Sequence, residues 1–154
     1  MANLETFGLK LYIGDGGSPN SYTQIAGVTQ IPTLFSFDRS LIDISEISDT
    51  VKSYRAGQLD PGEVSFEFKF DPNEATHDDS TGLINAMLTR GAFGFVLEIP
   101  ASDGAGAAIT YMSFTGVVTG ITPSGNQDDV TRATCTIKMS GQPLFSTTKP
   151  AGVP

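Results

Sequence analysis

The chain has 154 residues, 17% of them charged, with a net charge of −8 and a single cysteine. That length suits one domain with its own core, and the negative charge argues against tight binding of phosphate backbones or anionic lipid headgroups. Cys135 has no partner for an intrachain disulfide and is too little for a cysteine-built zinc site, so the chain is compatible with a reducing compartment.

Residues 1–7 place Glu5 where a signal peptide needs basic charge, and no apolar run follows, so no export leader is expected. Phe7, Leu9, Leu11 and Ile13 then alternate with Thr6, Gly8, Lys10 and Tyr12, which predicts a strand, and residues 14–20 are rich in Gly, Asp, Ser, Pro and Asn, which predicts a turn. Residues 38–62 carry Asp38, Asp43, Glu46, Asp49 and Asp60 with little alternation. They read as a long loop or arm, either solvated or ordered against a partner. Val64, Phe66, Phe68 and Phe70 alternate with Glu63, Ser65, Glu67 and Lys69, the cleanest strand pattern in the chain, with the first set facing the core.

Asp71, Glu74, Asp78 and Asp79 surround His77, the only histidine, but their spacing matches no EF-hand or zinc motif. The segment reads as a polar loop leading into a helix over residues 80–90. There Leu83, Ile84, Met87 and Leu88 form an apolar stripe, Asp78, Asp79 or Ser80 can cap the start, and Gly91 can stop the end in a left-handed conformation. Strands are predicted through Phe93, Phe95, Leu97 and Ile99, through residues 109–121 with Gly116 and Gly120 at bends, and through Ala133, Cys135, Ile137 and Met139. Residues 104–127 are uncharged but rich in Thr, Ser and Gly, the pattern of a half-buried strand rather than a membrane span. Residues 142–154 hold three prolines and no periodicity and read as a tail or extended arm.

Neither glycine run, at 14–17 or 104–108, has the strand-to-helix context and lysine of a phosphate cradle, and no Gly-x-Ser-x-Gly elbow is present. Cys135 falls on the apolar side of its strand, as core filling. The expectation is no enzyme, no metal and no cofactor.

The order of these elements resembles the lambda-like tail tube proteins of long-tailed bacteriophages. The likeness rests on residues 53–62, Ser-Tyr-Arg-Ala-Gly-Gln-Leu-Asp-Pro-Gly, running into the strand from Glu63 to Phe70, Asp71-Pro72 and the helix; a second block is 111–123 followed by 128–143. It spans roughly residues 5–145. It implies a mainly β (α+β) fold: a β-sandwich over residues 1–145 with one short flanking helix and a long loop, followed by a tail or arm at 146–154. It further implies homohexameric rings stacked into a virion tail tube, with tape measure, tail terminator and tail tip proteins as partners and genome DNA passing through the lumen. Such a subunit would be assembled in the host cytoplasm, with no membrane anchor. On that reading Glu63, Glu67 and Lys69 are candidates for a lumen wall expected to be net acidic, and Asp38, Asp43, Glu46, Asp49, Tyr54 and Arg55 for contacts between subunits or rings. The alternative from another class is a β-sandwich binding module, a glycan-binding or virion-decoration domain using Tyr12, Tyr22, Tyr54 and Tyr111.

Overall fold

Val64, Phe66 and Phe68 are wholly excluded from solvent on one face of β6 (Glu63–Lys69), while Glu63 and Lys69 on the other face are exposed. The computed structural model describes residues 9–16, 21–100, 109–125, 127 and 129–154. The remaining strands are β1 (Lys10–Gly14), β2 (Tyr22–Gln24), β3 (Val28–Thr33), β4 (Asp38–Asp43), β5 (Tyr54–Asp60), β7 (Phe93–Pro100), β8 (Ile109–Ser124) and β9 (Arg132–Ser146), with one helix, α1 (Leu83–Leu88). Seven strands form a sheet in the order β2-β1-β7-β8-β9-β6-β3, antiparallel throughout, and β4 and β5 pair only with each other.

This sheet must curl. β2 lies at one edge and β3 at the other, yet only residues 25–27 join them. Four Cα steps reach about 14 Å, whereas seven flat strands are about 29 Å from edge to edge. The connector bonds to both ends: Ile25 N donates to Leu11 O at 2.9 Å and Lys69 N to Gly27 O at 2.9 Å. β2 and β3 do not pair, so the sheet stays unclosed. The expected mainly β fold with one short helix is therefore present, its two layers being the ends of one curled sheet. Inside the curl, Leu11, Ile13, Phe95, Leu97, Met112, Phe114, Cys135 and Ile137 join the β6 side chains in a single core. Cys135 fills that core, where burial pushes its thiol up to about 12.

Several expectations need correction. Of the long loop or arm expected at 38–62 the structure has the arm, the separate two-stranded β4–β5 hairpin, rather than an unpaired loop. The helix spans only Leu83–Leu88 and buries Leu83 and Ala86 against β8, while Met87 and Leu88 are exposed, so the stripe is out of phase with the one predicted. Asp78 gathers the backbone N–H groups of Ser80, Thr81 and Gly82 ahead of it, and those bonds hold its carboxyl below the usual range. The helix ends at Thr89 in an extended conformation, and Gly91 is not left-handed. Residues 142–146, expected in the tail, complete β9, and Val153 is buried beyond it. Residues 7 and 8 of the first strand, residues 17–20 of the turn and the glycine run at 104–108 lie outside the described residues.

Candidate assembly surface

The β4–β5 hairpin leaves the sheet as an arm on which almost every residue is exposed. Between its strands, residues 44–53 are shaped by their own polar groups. Asp43 Oδ1 accepts from Ser45 N at 2.9 Å, which lowers its pKa; Asp49 Oδ2 accepts from Glu46 N at 2.7 Å; Ser45 and Ser53 bond to each other. This scaffold turns apolar side chains outward: Leu41 is 69% exposed, Val51 77%, and Ile47 fully so. The sequence expectation weighed the carboxylates of this segment and passed over Leu41, Ile42, Ile44, Ile47 and Val51 between them, although counting apolar residues would have found them.

Of the predicted contact residues, Asp43 faces Tyr54 and Ile42 faces Arg55 across the hairpin. Asp38 and Glu46 are exposed, whereas Asp43 and Asp49 serve the loop's own backbone. At the hairpin's root Phe35, Phe37 and Phe145 cluster half-exposed, with ring centroids 4.7 Å apart for the first two and 6.0 and 6.4 Å from each to Phe145.

The outer face of β6 continues onto β9 through the pairs Glu63–Lys138, Ser65–Thr136, Glu67–Thr134 and Lys69–Arg132. Glu67 accepts from Gln30 Nε2 at 2.9 Å and lies 3.6 Å from Arg132. The face thus sets Glu63 and Glu67 against Lys69, Arg132 and Lys138, so the acidic excess expected there sits elsewhere, on the hairpin and on residues 71–79.

His77 is built into the core. Its ring lies 4.6 Å from that of Phe68; Nε2 donates to Ala26 O at 2.6 Å and Nδ1 accepts from Asp71 N at 3.3 Å. No group of metal-ligating side chains forms among the described residues. On the outer face of β1 and β7, Glu98 is 8% exposed and accepts from the hydroxyls of Tyr12 (3.3 Å) and Tyr111 (3.4 Å), with Lys10 at 3.9 Å. Val153 packs there against Tyr12, Val96 and Tyr111. With Tyr12 and Tyr111 buried, the four tyrosines form no shared exposed platform; of them only Tyr54 is widely exposed. Among the described residues no helix is long and apolar enough to cross a membrane.

A strand-rich subunit whose outstanding surface feature is an apolar arm is an assembly component. Comparison with known proteins agrees: the family described as "Phage tail tube, TTP, lambda-like" matches residues 2–149. The chain belongs to this lambda-like phage tail tube family, and it is a structural subunit of the virion tail. Similar solved structures include the sheath–tube complex of an extracellular contractile injection system, PVC, in its extended state (13% identity, TM-score 0.67, 94% of this chain and 91% of that one). The sheath/tube terminator structure of the same system aligns at 12% identity and TM-score 0.63, over 94% of this chain and 96% of that one. A gene transfer agent tail, computed with helical refinement and C6 symmetry, aligns at 15% identity and TM-score 0.61, over 88% and 95%. No curated protein matches the chain.

Proposed function

We propose that the subunit closes into six-membered rings that stack into a hollow tube, through which genome DNA passes during ejection. The observation that carries this reading is the β4–β5 arm: a lone two-stranded hairpin is marginal in water, and contiguous exposed apolar side chains mark a contact surface. Seating the arm on a neighbouring copy covers Leu41, Ile47 and Val51, and ring closure protects the sheet's open edges at β2 and β3. The sixfold count is supported by the C6 symmetry of the similar gene transfer agent tail. Tape measure, tail terminator and tail tip proteins complete the tail, and the subunit works by assembly, without catalysis.

In this arrangement the face of β6 carrying Glu63, Glu67 and Lys69 lines the channel. Ser65, Thr134 and Thr136 give it small hydroxyls, Glu67 pairs with Arg132, and Lys138 is held by Asp60 of the hairpin, so two of its three cations already have carboxylate partners and offer DNA less counterion-releasing attachment. Sedimentation and electron microscopy across a concentration series test the proposal. Rings and tubes with a sixfold end view are expected; a strictly monomeric particle in the presence of the tail partners would refute it.

A further inference from the structure

The hairpin's root is fixed at few points, and its polar corner has an unusual charge arrangement. Asp38 and Asp60 stand directly opposite each other where β4 and β5 join the body. Like charges in that position repel. Asp60 Oδ1, however, accepts from two donors at once: Gly62 N at 2.9 Å and Lys138 Nζ, on β9 of the main sheet, also at 2.9 Å. These bonds, that of Lys138 foremost, hold the Asp60 carboxyl below its usual range. The turn they brace is rigid. Pro61 fixes its own φ, Gly62 is left-handed with φ +78°, and a side chain at Gly62 would strike Ser36. Met139 N donates to Gly62 O at 3.0 Å, and Ser36 Oγ accepts from Glu63 N at 3.4 Å. Glu63, across from Lys138, is the remaining charge at this corner, since Arg39 donates to Gly57 O farther along the hairpin.

We infer that the Asp60–Lys138 pair is a brace that fixes the direction in which the hairpin leaves the sheet, making Asp60 a positioning residue for tube growth. The part about tube growth rests on the hairpin being the assembly contact; the part about direction does not. Without the ammonium, Asp60 confronts Asp38 alone and the root opens toward the half-exposed aromatic corner at Phe35, Phe37 and Phe145.

The test uses Lys138→Gln, Asp60→Asn and the double variant in the full chain, spin-labelled at Lys52→Cys and Thr122→Cys for the distances and unlabelled for tube elongation. Cys135 is buried with its thiol pushed up to about 12 and does not compete for label. In the isolated subunit the native pair should give one narrow distance distribution, and each single variant a broadened or displaced one, with the melting temperature unchanged. Tube elongation should slow about fivefold in each single variant, and no further in the double, as for two residues of one interaction. Should Asp60→Asn lower the melting temperature, Lys138→Gln, on the exposed face of β9, decides alone. Native distance distributions in both single variants, or additive slowing in the double, would overturn the brace. Failure of the native chain to form tubes would strike the assembly reading instead, leaving the distances to decide the brace.

Discussion

Gly116 on β8 lies so close to Ile137 on β9 that a Cβ added to the glycine would stand 2.6 Å from Ile137 Cγ2 and 3.0 Å from the carbonyl oxygen of Lys138. Ile137 is itself fully buried, so its methyl cannot swing aside without disturbing Val64 and Val118 across the strands. Gly116→Ala is therefore expected to destabilise the subunit by about 1–3 kcal/mol, the usual cost of overfilling a packed core. Urea denaturation reads this directly, and an unchanged midpoint would show that the two long strands are farther apart than described.

Phe68→Ala should cost more, about 3–5 kcal/mol, because the ring is completely buried among Phe66, Phe70 and His77. A loss below about 1 kcal/mol in the same measurement would be incompatible with a core site.

That Phe68 is core was legible because β6 buries one face only, and period-two burial writes itself into the sequence as alternation. The same logic explains the misses. β4 and β5 are exposed on both faces, so no alternation exists to be read, and pairing there is visible only in three dimensions. The helix was placed out of phase because Ala86, small but fully packed, counts for little beside Met87 and Leu88, which point outward. The end of β9 was hidden by Pro143. It sits in an irregular stretch where Gly141, Gln142 and Pro143 lie opposite Phe114 alone, between the pairs Ser113–Leu144 and Thr115–Ser140, so no ladder N–H is missed. Gly120 does mark a bulge, which leaves Thr119 unpaired after Val118, whereas Gly116 marks a close approach instead. The sequence singles this segment out by its carboxylates, whereas its apolar residues, the part that water disfavours, carry no alternation that would draw attention to them.

Glu98 offers a pH-dependent signature. Desolvation first, and the neighbouring carboxylate second, raise the pKa values of Tyr12 and Tyr111 above the usual value of about 10. Because the folded chain favours the protonated phenols, their contribution to stability is complete below about pH 10 and is lost as pH rises through the folded values. Ultraviolet titration should show two tyrosines ionising late, together with alkaline loss of stability. Glu98→Gln should move both titrations back toward 10 without removing the desolvation effect. Four tyrosines titrating together near 10 in the folded native chain would contradict the buried cluster.

Ile47 gives the most direct view of the arm. Its side chain is fully exposed on a loop held by Asp49, Ser45 and Ser53, so Ile47→Asp removes no contact within the subunit and should change folding stability by no more than about 0.5 kcal/mol. On the proposed assembly a neighbouring copy covers the same position. Burying an isoleucine there contributes about 1.5–3 kcal/mol, and placing a carboxylate in its stead adds a desolvation cost. With each 1.4 kcal/mol equal to a factor of ten in affinity, the concentration needed for tube growth should rise at least about tenfold. Ile47→Leu, which keeps the apolar volume, should assemble nearly as the native chain does. Turbidity and pelleting across a concentration series measure the threshold, and chemical denaturation of the isolated subunit supplies the control. Tubes forming from Ile47→Asp at the native threshold would place the contact between copies elsewhere, with Met87 and Leu88 on the outer side of α1 the next exposed apolar pair to test.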